Sequence, residues 1–268
     1  MESCYRHPGV ETGVSCQRCD RFICPECATP AAVGFLCPED AKQTIKIRRP
    51  AFQQSVTARA PITIALIGIN VAVYLAQQLG VPITEMLAFM RVGQGIEFGS
   101  PIRAFTSAFA HSPTQFTHIL FNMYSLFVLG TLLEPMLGKL KFSILYVLAI
   151  FGGSMGFFIF GELGSVVVGA SGAIFGLMGA YLIYLRALRL DTRQMLVILV
   201  INVVVSFLPG IAWQAHFGGF IFGALTALAY IRFSRADQKA MLYSSIALLV
   251  AALVWLWIYG NQIMPPIY

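Results

Sequence analysis

The chain has 268 residues, of which 57% are hydrophobic and only 11% are charged, and its formal net charge is +6. This balance excludes an ordinary soluble domain and predicts a polytopic helical membrane protein. Residues 1–60 are polar and lack the apolar stretch of a signal peptide. A positive net charge is compatible with nucleic-acid binding, but the distribution of the basic residues described below argues against that function.

The first predicted element is a small cysteine-rich module over residues 1–43. All six cysteines of the chain lie here, within four pairs of possible metal ligands: Cys4-x2-His7, Cys16-x2-Cys19, Cys24-x2-Cys27 and Cys37-x2-Asp40. Such pairs are typical of tetrahedral zinc sites. Alternating pairs predict two interleaved structural zinc sites, the first from Cys4, His7, Cys24 and Cys27 and the second from Cys16, Cys19, Cys37 and Asp40.

Two alternatives remain for this module. Asp40 is either a zinc ligand or a surface residue with water completing the site. A disulfide framework is the alternative to metal, and the cytoplasmic location predicted below disfavours it. The spacing resembles a B-box-type zinc finger, which implies an interaction or regulatory module with a protein partner. Arg6, Arg18 and Arg21 are too few to favour nucleic acid.

A basic linker is predicted over residues 44–60, after which the composition becomes apolar. It contains Lys46, Arg48, Arg49 and Arg59, and no acidic residue follows Asp40 within it. Such a segment is either attracted to the anionic headgroups of membrane lipids or simply solvated.

Seven apolar segments follow and predict seven transmembrane helices, at approximately 61–79, 117–136, 141–160, 168–185, 194–209, 213–231 and 241–260. Several are shorter than the ~20 residues that a straight span needs. With the N-terminus in the cytoplasm, 16 of the 18 basic residues lie on the cytoplasmic side, and only Arg91 and Arg103 lie outside. The positive charge is therefore an orientation signal. It places the C-terminus outside and makes a nucleic-acid partner unlikely.

Three polar residues are predicted at one depth by counting from a basic residue at the cytoplasmic end: Ser171 lies 15 residues before Arg186, His216 lies 16 before Arg232, and Asn122 lies 17 before Lys139. At about 1.5 Å per helical residue, these separations are about 22, 24 and 25 Å. His118 lies one turn above Asn122 on the same helix face. Polar groups at this depth are candidates for function.

This layer contains the groups of an acyl-transfer site. Ser171 is the predicted nucleophile and His216 the general base. The backbone N–H of Ser171 and the side chains of His118 and Asn122 are the predicted oxyanion donors, and no cofactor is required for catalysis. Each group has an ordinary alternative: close helix packing for the serine and glycines, a proton relay for the histidine, and interhelical contact or half a metal site for the His118–Asn122 pair. Gly219-x3-Gly223 is predicted to pack against the serine helix.

The motifs His118-Ile-Leu-Phe-Asn122, Gly169-Ala-Ser171-Gly172 and Ala215-His216-x2-Gly219-x3-Gly223 resemble those of the rhomboid intramembrane serine proteases. The resemblance covers nearly all of residues 61–268. It implies a rhomboid-like bundle of seven transmembrane helices (the 6+1 form), a Ser171–His216 dyad, and oxyanion donors at His118 and Asn122.

The resemblance also implies the roles of several other residues. The first outer loop of the family carries a Trp-Arg pair, which here is Ile102-Arg103. His111 aligns with a loop histidine for which a structural hydrogen bond is expected. Phe175 replaces a tyrosine that stacks on the catalytic histidine, and Glu134 matches a position that holds neighbouring connections.

The implied function is cleavage of single-pass transmembrane proteins near the outer membrane boundary, in a bacterial plasma membrane. Two rivals remain: a catalytically silent rhomboid-like protein that binds transmembrane clients, and a transporter or channel with His118 and His216 in a proton path.

Overall fold

The computed structural model describes residues 2–31, 34–42, 56–91 and 100–263. The chain divides into two compact units, Met1–Gln54 and Ser55–Tyr268. Residues 44–55 of the predicted linker lie outside the described residues, so its basic residues Lys46, Arg48 and Arg49 do too. The last part of that segment, Val56–Arg59, is a short helix.

The N-terminal unit consists of short β-strands and one short helix, with the cysteines at its centre. Its elements are β1 (Glu2–Cys4), β2 (His7–Thr12), β3 (Thr29–Pro30), β4 (Phe35–Leu36) and α1 (Pro38–Lys42). β1 pairs antiparallel with β2, and β3 pairs antiparallel with β4. Among the residues of this unit that the structure describes, the buried hydrophobic ones are five of the cysteines together with Ile23. So small an apolar core does not stabilise a domain without cross-links or metal.

The second unit is helical. Its elements are α2 (Val56–Arg59), α3 (Pro61–Gln77), α4 (Ile83–Leu87), β5 (Phe89–Met90), α5 (Pro101–Thr106), α6 (Phe116–Leu137), α7 (Lys139–Phe160), β6 (Val166–Val167), α8 (Ser171–Ala187), α9 (Arg193–Ser206), α10 (Trp213–Arg232) and α11 (Lys239–Ile263). Each of the seven predicted apolar segments corresponds to one helix, namely α3 and α6 to α11. Within the described residues, α6, α7, α10 and the helical segment containing α11 are long and apolar enough to cross a membrane, whereas α3, α8 and α9 are shorter apolar helices.

The centre of this unit is a glycine-lined contact between α8 and α10. A methyl group added at Gly219 would collide with the carbonyl oxygen of Gly172, and one added at Gly223 would collide with that of Gly176. Glycine therefore permits the two backbones to touch directly. The predicted packing of the Gly219-x3-Gly223 pair against the serine helix agrees with these contacts. α7 completes the core, because a methyl group at its Gly153 would lie 2.9 Å from the carbonyl oxygen of Ala215.

A buried carboxylate fixes the start of α3. Glu134, which is 1% exposed on α6, accepts hydrogen bonds from the backbone N–H groups of Ile62 and Thr63, at 2.9 and 2.8 Å, and from the Thr63 hydroxyl at 2.8 Å. These N–H groups belong to the first turn of the helix, where the backbone has no partner of its own. The role expected for Glu134 from the family resemblance agrees with this arrangement.

The segment between α3 and α6 is held by side-chain to backbone hydrogen bonds. Arg103 donates to the carbonyl oxygens of Glu85 and Ala88, at 2.5 and 3.4 Å. The arginine therefore forms these bonds to the segment although the tryptophan of the family's pair is replaced by Ile102. His111 differs from expectation. Its backbone N–H and C=O pair with the Gln77 side chain, while neither ring nitrogen has a hydrogen-bond partner within the described part of the chain.

The α8–α10 contact generates a prediction about stability. Gly219→Ala forces two backbones apart and should destabilise the protein by about 1–3 kcal/mol, the usual range for overpacking. The midpoint of thermal unfolding in detergent should fall by roughly 2–4 °C for each kcal/mol. Gly68→Ala is the control, because α3 has open space at that position. It should leave the midpoint unchanged or raise it, since alanine is the better helix former. Equal midpoints for the two variants would contradict a backbone contact at Gly219.

Candidate active site and metal-binding clusters

Ser171 is the first residue of α8, directly after a turn made by glycine. Gly169 has a φ of +120°, a conformation that side-chain-bearing residues rarely adopt, and its N–H is bonded to the carbonyl oxygen of Ser107. Helix N-termini present unpaired backbone N–H groups and the positive end of the helix dipole. The predicted position of this serine at a helix start thus agrees with the structure.

Ser171 and His216 are in hydrogen-bond contact. The serine Oγ lies 2.8 Å from the histidine Nε2, although the two residues are 45 positions apart. Their helices, α8 and α10, are joined by the glycine contact just described. His216 is only 8% exposed, and its ring stacks on that of Phe175 with centroids 4.2 Å apart and planes 9° apart. The stacking predicted for Phe175 therefore forms without a phenolic hydroxyl.

A second polar side chain contacts the same imidazole, and the sequence motifs do not predict it. Ser206, the last residue of α9, is fully buried, and its Oγ lies 2.6 Å from the Nδ1 of His216. The sequence carries one signal for it: Asn202 and Ser206 are polar residues four positions apart in an otherwise apolar helix, and therefore share a helix face. The serine, histidine and asparagine motifs that define the polar layer do not include this pair.

His118 and Asn122 lie on α6 and line the same cavity as Ser171 and His216, a space of about 430 Å³. The Nδ1 of His118 accepts a hydrogen bond from the backbone N–H of Ser112 at 3.3 Å. Because that backbone group can only donate, a neutral His118 carries its proton on Nε2. Asn122 donates one amide N–H to the carbonyl oxygen of His118, at 2.8 Å. Its second amide N–H is left available to donate to another acceptor.

The N-terminal unit contains two clusters able to hold a metal ion. They are Cys4, His7, Cys24 and Cys27, and Cys16, Cys19, Cys37 and Asp40, with the ligand atoms of each within 4.8 Å of one another. Tetrahedral zinc–thiolate bonds of about 2.3 Å put neighbouring sulfurs about 3.8 Å apart. The sulfurs of Cys19 and Cys37 are 3.8 Å apart. All six cysteines are free thiols, so the disulfide alternative does not describe this structure.

The first cluster presents His7 through its Nδ1 atom. This nitrogen lies 3.3 Å from the sulfur of Cys24, 3.5 Å from that of Cys27 and 4.0 Å from that of Cys4. Burial raises the pKa of the Cys4 thiol, but hydrogen bonds from the backbone N–H groups of Cys24, Arg6 and His7 outweigh it and bring this pKa down to about 6. Cys4 is therefore largely a thiolate at neutral pH, which is the form that binds metals.

The second cluster includes Asp40. Its carboxylate accepts hydrogen bonds from the sulfurs of Cys37 and Cys16, at 3.1 and 3.3 Å. Hydrogen bonds from the neighbouring thiols, that of Cys19 foremost, lower the pKa of the Asp40 carboxyl to about 2. Asp40 is therefore ionised at physiological pH and directed at the thiols, an orientation that favours a ligand over an unattached surface residue.

Arg21 borders this second cluster. Its guanidinium donates to the sulfurs of Cys19 and Cys37, at 3.2 and 3.5 Å, and pairs with Glu39 at 3.3 Å. The guanidinium also lies over the ring of Tyr5, 4.3 Å from its centroid. When the three cysteines of this cluster bind a metal as thiolates, a positive charge here would balance part of their negative charge and that of the carboxylate.

The helical unit, with its apolar helices and buried polar layer, is that of an integral, multi-pass helical membrane protein. The rhomboid domain matches residues 99–235, just over half of the chain. The chain therefore belongs to the rhomboid family.

Several proteins of that family are similar to this chain. RHOMBOID-like protein 1 of Arabidopsis thaliana is 36% identical over 137 residues, which are 48% of this chain and 34% of the relative. The Bacillus subtilis protein YdcA is 34% identical over 145 residues, 52% of this chain and 71% of YdcA. Rhomboid protease GluP, also of Bacillus subtilis, is 34% identical over 149 residues, 53% of this chain and 29% of GluP. The chain thus spans only about a third of the length of two of these relatives.

The turn before Ser171 generates a prediction about a side chain added beside the cavity. A methyl group at Gly169 would lie 2.7 Å from the Nε2 of His118, whereas one at Gly164, with a φ of +77°, meets open space. Both alanine variants carry the strain of positive φ, about 1–2 kcal/mol in the left-handed region near Gly164 and more at Gly169, whose φ of +120° lies outside that region. Gly169→Ala should lower the midpoint of thermal unfolding further, because it also displaces the His118 ring. Matching midpoints for the two variants would show that the ring moves aside freely.

Proposed function

We propose that this protein is an intramembrane serine endopeptidase that cleaves single-pass transmembrane proteins through a Ser171–His216 dyad. The observation that carries the proposal is the 2.8 Å contact between the Oγ of Ser171 and the Nε2 of His216, in a cavity within a helical membrane unit. Membership of the rhomboid family and similarity to relatives named as rhomboid proteases support the same reading.

Ser171 attacks the carbonyl carbon of the scissile peptide bond while its proton passes to the Nε2 of His216. The protonated imidazole then gives that proton to the departing amine as the peptide C–N bond breaks, leaving an acyl-enzyme on Ser171. A water molecule activated by the same imidazole attacks the ester carbonyl and restores the serine hydroxyl. Phe175 keeps the ring in one plane through these steps, because the two rings are stacked.

His118 and Asn122 stabilise the oxyanion together with the backbone N–H of Ser171. The hydrogen bond from Ser112 leaves the Nε2 of His118 as a donor, and Asn122 retains one amide proton. These donors line the cavity that contains the serine. Fixed donors act where negative charge develops, in a site of low dielectric, and are therefore effective.

The depth of the site is compatible with a reaction that needs water. α8 and α10 run without interruption from the polar layer to Arg186 and Arg232, and α6 runs from Asn122 to Leu137, two residues before Lys139, so the helical rise supports separations of about 22–25 Å. In a hydrocarbon core of ~30 Å, this layer lies in the outer third. Polar residues such as Ser112, Gln115 and Ser125 line the cavity and suit a water-filled space.

The substrate must expose an unpaired carbonyl to Ser171, and carbonyls inside a transmembrane helix are already hydrogen-bonded. We therefore expect cleavage at segments with helix-breaking residues and a small residue before the cut. Seven spans, with the N-terminus in the cytoplasm and the C-terminus outside, fit the charge distribution. A bacterial plasma membrane is the location we propose.

The assignment of the dyad is tested by labelling the full-length, detergent-solubilised protein with a fluorophosphonate, which reacts only with an activated serine. Wild type should be labelled, and Ser171→Ala and His216→Ala should fall to background, roughly a thousandfold or more slower. Ser125→Ala is the control, since this serine lines the same cavity and should be labelled like wild type.

Absence of labelling in folded, monodisperse wild type would overturn the proteolytic assignment and favour a client-binding protein without catalysis. Labelling of Ser171→Ala would equally overturn it, because another residue would then be the nucleophile. Cleavage of a single-pass reporter in liposomes, abolished by Ser171→Ala, would extend the result from an activated serine to proteolysis.

For the N-terminal unit we propose a B-box-like zinc finger that holds two structural zinc ions and binds a protein partner. The donor sets, three cysteines and a histidine or three cysteines and an aspartate, fit zinc in kind and spacing. Since the unit has little apolar core, metal binding would supply much of its folding free energy.

Metal analysis of the full-length protein tests this second proposal. Wild type should contain two zinc ions per chain, and Cys24→Ser and Cys37→Ser should each contain about one. Asp40→Asn should release one zinc to a competing chelator at about tenfold lower chelator concentration, because a neutral amide is a poorer ligand. Asp20→Asn is the matched control, since Asp20 is exposed and outside both clusters and asparagine tolerates its positive φ of 55°. Zinc-free wild type, or equal release from the two asparagine variants, would contradict the assignment.

A further inference from the structure

His216 is contacted through both ring nitrogens, and only one of these contacts belongs to the dyad. Nε2 faces Ser171 at 2.8 Å, and Nδ1 faces the Oγ of Ser206 at 2.6 Å. Ser206 is 0% exposed and ends α9, a helix otherwise largely exposed on its apolar faces. The contact therefore joins the buried end of α9 to the imidazole on α10.

We propose that Ser206 is a positioning residue that holds His216 in the tautomer with its proton on Nδ1. The proposal rests on the proposed function for its consequence in catalysis, but its structural content is separate. A neutral imidazole has one N–H and one acceptor nitrogen. Nε2 can take the Ser171 proton only if the ring proton lies on Nδ1, so whatever occupies the Nδ1 side decides whether the dyad is competent.

The surroundings of Ser206 favour this tautomer. Its Oγ also lies 2.7 Å from the carbonyl oxygen of Asn202, one turn earlier in α9. Buried helical serines commonly donate their hydroxyl proton to that carbonyl. With its single proton used there, the oxygen of Ser206 has only lone pairs to offer, and Nδ1 must be the donor. The chain of donation then runs from Ser171 O–H to Nε2, and from Nδ1–H through the Ser206 oxygen to Asn202.

The same contact acts during the reaction. When the Ser171 proton moves to Nε2, the ring becomes an imidazolium with two N–H groups, and Nδ1–H keeps its acceptor in Ser206. No proton leaves Nδ1 in this step. Ser206 therefore keeps its own proton and takes no part in the proton transfer itself. A hydroxyl oxygen here does what a carboxylate does in a catalytic triad, with less charge stabilisation but at a smaller desolvation cost.

The wild-type protein alone provides the first test. The chain has four histidines, so the full-length protein labelled with ¹⁵N-histidine and reconstituted in liposomes gives few imidazole signals. His216→Gln identifies the pair that belongs to this ring. Solid-state NMR should find its Nδ1 protonated and its Nε2 unprotonated at pH 8. A protonated Nε2 would overturn the proposal, whether or not the protein reacts with a fluorophosphonate.

Variants provide the second test. Ser206→Ala should slow fluorophosphonate labelling by about tenfold or more, equivalent to ~1.4 kcal/mol or more in activation free energy, and should mix the two His216 tautomers. Ser206→Thr keeps the hydroxyl and should restore both the labelling rate and the single tautomer. Thr226→Val removes another buried hydroxyl that bonds one turn back, to Phe222 at 2.7 Å, and is the matched control.

The outcomes separate this proposal from the proposed function. Unlabelled wild type with Nδ1 protonated would remove the catalytic assignment and leave the tautomer inference standing. Labelled wild type, together with a Ser206→Ala variant of unchanged rate and unchanged tautomer, would overturn the role of Ser206 and leave the dyad intact. Equal slowing by Ser206→Ala and Thr226→Val would also overturn it, because loss of any buried hydroxyl would then suffice.

Discussion

The direct contact between the backbones of α8 and α10 is the constraint on which the rest of the membrane unit depends. Gly219 and Gly223 face the carbonyl oxygens of Gly172 and Gly176, with no side chain between them. The distance between the two helices is therefore set by main-chain atoms, whose positions vary little with rotamer or local repacking. Ser171 begins one of these helices, and His216 lies just before the contact on the other. The backbone contact therefore fixes the geometry of the hydrogen bond between their side chains.

Around this rigid pair, the two histidines of the candidate site are each oriented by contacts with neighbouring groups. Phe175 covers one face of the His216 ring, and Ser206 contacts its far edge. The N–H of Ser112 leaves His118 as a donor towards the cavity. In water such weak contacts would hardly fix a side chain. In a buried site, where an unpaired polar group is costly, each contact strongly favours one arrangement.

The sequence groups the residues of the candidate site more readily than the residues that support them. Short sequence motifs mark Ser171, His216 and the His118–Asn122 pair. Once these motifs are found, the helical rise is enough to assign the residues to one layer. Ser206 carries no motif, and its role depends on α9 ending beside α10, which hydrophobic periodicity does not encode. A structural hydrogen bond was expected at His111, and within the described residues its backbone rather than its ring makes such bonds, because Gln77 offers an amide that matches both backbone groups. In the N-terminal unit, two-residue spacing sufficed to group the ligands, since each pair is a local feature.

The thiol groups of the chain are confined to one of its two units, which affects where oxidants of thiols react. Every thiol lies in the N-terminal unit, within the first 37 residues, and the unit that carries Ser171 and His216 contains no cysteine. Peroxide, nitrosating agents or mercurials would therefore attack the two ligand clusters and leave the serine and its histidine chemically intact. Hydroxyl and imidazole groups do not respond to changes in cellular redox poise, whereas low-pKa thiolates do. The chain thus carries every thiol in its N-terminal unit and none beside the candidate dyad, so oxidation of thiols, unlike that of methionines, is confined by composition to the N-terminal unit.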